Sequence, residues 1–216
     1  VGAPHLGTPN AGSATIFQRL GESWTQAARL SAPGAGSAFQ GFGGSVGIDV
    51  DTAIVGSSFE NAVYIYRFNG LTWVQEQRIA GSGSFGTSVA VDGNRVIVGA
   101  PTCNDNRAAA LIYTDTGPSW TLTATLRYAL GTGNDRFGGA VDLSGAHAIV
   151  GAYNEAGGRG AAYLFEDDGT TWSQQDRLVL VLTSPAGPVG QQDLGDQFGF
   201  SVAGGRVFVG TNNDGL

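Results

Sequence analysis

Lysine and methionine are absent from these 216 residues, and cysteine occurs once, at Cys103. All 11 cationic side chains are therefore Arg, set against 18 acids for a net charge of −7, and no basic run exceeds one residue. A surface that tracks nucleic-acid phosphates is excluded on that balance. One cysteine forms no internal disulfide, and no Cys/His cluster has zinc-ligand spacing, so cysteine usage leaves the redox compartment open. No apolar run approaches the ~18 residues of a membrane-spanning helix, and neither a signal peptide nor an Asn-x-Ser/Thr acceptor is present. Charged residues are scarce at 13% while hydrophobic ones reach 42%, which suits a folded chain with one continuous core rather than a disordered one. Met is missing even at position 1, as expected of a processed product or of part of a longer protein.

Glycine is what the chain has in abundance, 36 residues without a Gly-X-Y period, which excludes collagen and implies many tight turns. The chain also repeats itself. Phe-Gly followed by a small residue and an apolar alternation occurs at Phe42-Gly43, Phe85-Gly86, Phe137-Gly138 and Phe198-Gly199, at spacings of 43, 52 and 61 residues. About ten residues on, each unit has an apolar run ending in Val-Gly, at Val55-Gly56, Val98-Gly99, Val150-Gly151 and Val209-Gly210, and a fifth copy, Val1-Gly2-Ala3-Pro4, opens the chain. A polar or Gly-rich loop leads to an aromatic strand such as Val63-Tyr64-Ile65-Tyr66, and then Trp24, Trp73, Trp120 or Trp172 begins a last segment that reaches Arg29, Arg78, Arg127 or Arg177.

Segments of four to eight residues with period-two alternation, bounded by Gly, Asn, Asp or Pro, read as β-strands. Four strands in about 50 residues is the blade of a β-propeller. The fold expected is all-β, a single propeller domain of four-stranded antiparallel blades over residues 1–216. Its blades fall at approximately 42–81, 85–130 and 137–183, with a fourth shared between 198–216 and 1–31, giving four blades if the termini close the ring. The Phe of Phe-Gly and the Val of Val-Gly are expected between blades, with Gly where backbones approach closely. Two other arrangements of the ends are a larger propeller of which this chain is a piece, and half-blades completed by neighbouring molecules in a head-to-tail assembly.

The combination of Phe-Gly-x-Ser-Val, Val-Gly-Ala-Pro, aromatic strand, Trp and Arg-Leu, clearest from Phe85 to Pro101, resembles the FG-GAP repeat of integrin α-chain propellers and, more closely, of bacterial secreted relatives. The resemblance implies a propeller at the cell surface or outside the cell, engaged in adhesion or ligand recognition more than catalysis. It also implies a calcium loop of Asp-x-Asp-x-Asp-Gly type after the Val-Gly strand, because Ca²⁺ takes six to eight oxygens. None of these loops is complete here. Asn104, Asp105 and Asn106 stand in one, Asn154 and Glu155 in another, Asn212, Asn213 and Asp214 in a third, and Ser57 to Asn61 offers less still. Asn and Asp also serve ordinary turns, so no cofactor is expected, with calcium the ligand these positions would take if any.

Chemistry is sparse. His5 and His147 are the only neutral-pH bases, no nucleophile elbow accompanies them, and both read as loop or turn residues. Glu166, Asp167 and Asp168 precede Gly169 and read as a hairpin turn, although they are also the candidate acidic site of a secreted hydrolase. The Trp-to-Arg spacing of five, five, seven and five residues reads as a packing pair within each blade, with sugar stacking on Trp as the functional alternative. The segment from Pro185 to Gln197 breaks the repeat most, so Gln191, Gln192, Asp193 and Asp196 are the candidate ligand-binding residues. The function expected is a non-enzymatic extracellular recognition, adhesion or scaffold module. Its partners would be a protein or glycan at the cell surface, with no nucleic acid and no membrane insertion. Self-assembly through terminal strands into a filament or surface layer is the alternative.

Overall fold

A computed structural model describes residues 1–4, 12–32, 41–102, 108–128, 134–179, 197, 199, 201–203 and 207–210. Period-two alternation becomes strand almost everywhere it was read. An N-terminal sheet holds β1 (Gly2–Ala3), β2 (Ser13–Leu20) and β3 (Ser23–Leu30). Three four-stranded antiparallel sheets follow, each a meander in chain order. The first contains β4 (Phe42–Asp49), β5 (Thr52–Ser57), β6 (Ala62–Phe68) and β7 (Trp73–Ala80). The second contains β8 (Val89–Asp92), β9 (Arg95–Ala100), β10 (Ala109–Asp115) and β11 (Trp120–Leu126). The third contains β12 (Phe137–Ser144), β13 (His147–Ala152), β14 (Ala161–Asp167) and β15 (Trp172–Leu178), and a two-stranded sheet of β16 (Ser201–Ala203) and β17 (Phe208–Gly210) comes last. The architecture is that of a β-propeller built from repeated blades.

Residues 198–216 and 1–31, expected to share one sheet, hold two separate ladders among the described residues. β16 pairs with β17, while β2 pairs with β1 on one edge and β3 on the other.

Register follows the repeat. Thr52–Ser57 pairs along its whole length with Arg67–Ala62, and the same ladder recurs between β9 and β10 and between β13 and β14. Each pairing of strands three and four carries a bulge at the same place, between Ile16 and Phe17, Ile65 and Tyr66, Ile112 and Tyr113, and Leu164 and Phe165. Second strands are the most buried, β5 along its entire length, because sheets cover them on both faces.

The core lies between blades, as the alternation predicts. Phe42 packs with Ala14, Leu30, Val55 and Tyr64; Phe85 with Ile54, Ile65, Val96 and Tyr113; Phe137 with Ile97, Ile112, Val150 and Tyr163. Each Phe meets a tyrosine edge-on, Phe42 with Tyr64 at 5.2 Å, Phe85 with Tyr113 at 6.2 Å and Phe137 with Tyr163 at 5.5 Å.

The repeated glycines explain why the motif spells Phe-Gly and Val-Gly. A methyl group at Gly56 would lie 2.2 Å from the Gly86 carbonyl oxygen of the next blade, and one at Gly99 would lie 1.9 Å from that of Gly138. Gly2 meets Gly43 and Gly151 meets Gly199 in the same way, at 2.1 and 2.0 Å. The second glycine of each pair needs a left-handed backbone, with φ of +89° at Gly86 and +87° at Gly138. The Ser of Phe-Gly-x-Ser completes the contact. Ser45 donates its hydroxyl to the Gly86 oxygen and Ser88 to the Gly138 oxygen, both at 2.8 Å.

Candidate functional site

Polar side chains in the blades fall into three recurring links. The first follows strand two. Glu60 accepts a hydrogen bond from the Tyr64 hydroxyl at 2.8 Å and pairs with Arg78 at 3.2 Å, while the Arg78 guanidinium lies 5.7 Å from the Tyr64 ring centre. Two blades on, Glu155 accepts from the Tyr163 hydroxyl at 2.6 Å and pairs with Arg177 at 2.6 Å. Burial pushes both tyrosine hydroxyls up from their ordinary value, the neighbouring carboxylate adding to the effect and the arginine opposing it. The intervening blade has Leu111 and Thr125 at the tyrosine and arginine positions, so the link skips it.

The second link joins outer strands of adjacent blades. Arg67 on β6 reaches Asp115 on β10 at 2.6 Å, Asp51 at 3.2 Å and Glu76 at 3.4 Å, and its guanidinium lies 5.8 Å from the ring centre of Trp120 on β11. Trp120 also donates its indole N–H to Glu76 at 3.0 Å. One interface further, Arg95 pairs with Asp167 at 2.9 Å and lies 5.7 Å from the ring centre of Trp172. The third link runs between turns. Asp49 accepts the Gly93 backbone N–H at 2.8 Å, and Asp92 accepts that of Gly145.

These contacts correct the reading of the tryptophans. Trp73 sits opposite Phe68 and Arg78 opposite Tyr64, at the two ends of one strand. Five residues of strand span about 16 Å, too far for a contact. The Trp partners are instead arginines of the preceding blade, and the strand-four arginine takes a tyrosine of its own blade. The tryptophans are not equivalent platforms either, since Trp120 is buried and Trp24 is 67% exposed.

The three consecutive carboxylates separate. Glu166 lies across from His147, 3.8 Å from its Nε2 on the surface; Asp167 pairs with Arg95; Asp168 caps its own turn. Hydrogen bonds from the Thr170 hydroxyl and from the Thr171 and Thr170 backbone N–H groups hold the Asp168 carboxyl down at about 2. Turn chemistry accounts for it. His147 begins β13 at the edge of a turn, as read from sequence.

The calcium-loop positions are tested at two places. At Ser57–Asn61 the Glu60 carboxylate is already held by Tyr64, Arg78 and the Ser57 hydroxyl, and the Asn61 side-chain oxygen accepts the Ser84 and Phe85 backbone N–H groups. At Asn154–Glu155 the carboxylate is matched by Arg177 and Tyr163. A carboxylate neutralised by arginine does not fit a cation, so these two loops do not fit calcium. Among the described residues no group of three or more His, Cys, Asp or Glu is placed to hold a metal ion. Asn104, Asp105, Asn106, Asn212 and Asp214 lie outside the described residues, as do His5 and the ligand-binding candidates Gln191, Gln192, Asp193 and Asp196.

Sequence reasoning passed over Glu60 and Glu155, although both stand four residues after the Gly of Val-Gly, in phase with a later Tyr and Arg. It also passed over Asp49 and Asp92, which end strand one in successive blades. Recurrence in phase was the available signal in both cases.

Blades that interlock through paired glycines and repeat the same inter-blade links define a propeller-type repeat protein. A model of the FG-GAP repeat matches residues 24–66, 73–113 and 120–165, more than half of the chain. The chain belongs to the FG-GAP repeat family. No match is found among curated proteins. Among solved structures, Saccharomyces cerevisiae Sqt1 is similar at 10% identity with a TM-score of 0.45, over 63% of this chain and 35% of that one. No described helix is long and apolar enough to cross a membrane.

Proposed function

We propose that the chain is a non-enzymatic recognition or scaffold module that acts outside the cell or at its surface. Rigid blades hold loops that bind a protein or a glycan. The observation that carries this reading is how the charged side chains of the blades are used. Glu60, Glu155, Asp115 and Asp167 are each matched to an arginine, and Asp49 and Asp92 to backbone N–H groups. Such pairing stiffens a scaffold and leaves no pair of carboxylates facing one another across a cleft. Function on a scaffold of this kind belongs to connections that differ between blades while the strands repeat. The segment 185–197, with Gln191, Gln192, Asp193 and Asp196, departs furthest from the repeat and is the proposed contact region.

The test is a binding screen of the 216-residue chain against a glycan array and a panel of extracellular proteins, repeated with all four residues changed to Ala. Binding lost in the variant, with an unchanged melting temperature, is expected. Binding that survives the four changes would place the site elsewhere. A hydrolytic activity abolished by Glu166→Gln or Asp167→Asn with the fold intact would overturn the non-enzymatic reading.

A further inference from the structure

In the complete blades, strand two pairs with strand three over six residues, as Thr52–Ser57 does with Ala62–Arg67. Beside β2 that ladder is short. It joins Ala3 to Ser13, Gly2 to Ala14 and Val1 to Thr15, and Ile16 to Leu20 have no strand on that edge among the described residues. An apolar cavity of about 230 Å³ lies there, with Ile16, Phe17, Val46 and Ile48 in its lining.

The repeat identifies what normally fills such a space. Val89, Val141 and Leu143 are buried on the strand-one positions that correspond to Val46 and Ile48, and they cluster with second-strand isoleucines, Ile54 for Val89 and Ile97 for Val141 and Leu143. Val46 and Ile48 are instead 40% and 55% exposed. Two residues before each Val-Gly glycine stands Ile54, Ile97 or Ile149, all fully or almost fully buried. The residue in that phase on β17 is Phe208, and it is 71% exposed. The molecule thus has an unfilled second-strand slot and an unburied second-strand side chain.

We propose that this slot is the seat of the chain's own β17, with Phe208 inserted opposite Ile16 and Val209-Gly210 taking the places of Val1 and Gly2. Gly210 then meets the Gly43 carbonyl as Gly56 meets that of Gly86. Residues 207–210 add a ladder along Ile16 and Phe17 that β1 does not reach, and both exposed sheet edges disappear. A strand tethered to the same chain has an effective concentration of order millimolar, above that of a second copy in dilute solution, which favours the internal seat. The inference does not depend on the recognition role.

Directly opposed strand residues have Cα atoms roughly 4.5–5.5 Å apart, within disulfide reach. The test is oxidation of an Ile16→Cys, Phe208→Cys variant carrying Cys103→Ser, followed by non-reducing mass analysis and gel filtration. An internal disulfide in a monomer is expected. Cross-linked chains would show a second copy in the slot and overturn the proposal, as would no disulfide. Phe208→Ser supplies an independent readout. A side chain as exposed as Phe208 is on β17 would change nothing, whereas a seated one lowers the melting temperature by at least about 5 °C. An unchanged melting temperature overturns the seat as well.

Discussion

A methyl group added at Gly99 lands 1.9 Å from the Gly138 carbonyl oxygen, and both partners are backbone, so neither can swing aside. Relief requires separating two blades. Gly99→Ala is expected to cost more than about 3 kcal/mol, the top of the usual range for overpacking. Gly117→Ala is the control, because Gly117 has a φ of +91° but nothing within 4 Å of its added methyl, and it should cost roughly 1 kcal/mol from backbone strain alone. Urea unfolding of the two variants decides the matter, and equal midpoints would refute the interlock. At this scale the sequence was informative wherever a residue repeats with its neighbours in phase. Phe42, Phe85 and Phe137 could be placed in the core that way. Glu60 and Glu155 could not, since a Glu four residues after a glycine has no meaning until Tyr64 and Arg78 are brought across the sheet to meet it.

Among the elements, second strands and outer strands live in different surroundings. β9 and β13 are buried at every position but their first, whereas β15 has no fully buried residue. Amides that open only with the whole blade exchange slowly, and amides of exposed edges exchange on local fraying. Hydrogen-exchange mass spectrometry should therefore find the greatest protection in β5, β9 and β13 and the least in β3 and β15; uniform protection along a blade would contradict this order. The strands themselves were legible, because alternation and turn residues are local. The pairing of the tryptophans was not. Trp120 stacks under Arg67 across an interface, and only the side-by-side placement of two blades reveals a partner 53 residues away in sequence. The family repeat has the same property, since each matched unit starts on a Trp at an outer strand and ends on the aromatic strand of the next blade, as in 24–66.

For the molecule as a whole, alkaline pH is a collective probe of these interfaces. Tyr64, Tyr66, Tyr113, Tyr128 and Tyr163 all have hydroxyls pushed above the ordinary value of 10.0, in each case chiefly by burial. Ionisation is easier in the unfolded chain, so the folded form binds more protons above that value. Their contribution to stability is complete below pH 10 and is lost progressively as pH rises past it. Unfolding midpoints measured at pH 8, 10 and 11 should fall only in the upper interval, and a flat profile would mean that the tyrosines are open to solvent. What one repeat does to the next was readable from the sequence. How the ends meet was not, because Val1-Gly2 and Val209-Gly210 carry the same signal for the same place.

The contact between neighbouring blades is made by main chain: a glycine on one side, a carbonyl oxygen on the other, and in two cases a serine hydroxyl between them. It is the same at Gly2, Gly56, Gly99 and Gly151, whatever the loops nearby. Blades joined in this way are interchangeable parts. A segment cut from one outer-strand Trp to the next carries its own half of two joints, so it can be duplicated, deleted or transplanted between family members with its loops aboard. Diversity in what such proteins contact can then arise by reshuffling segments, with no interface having to be invented again.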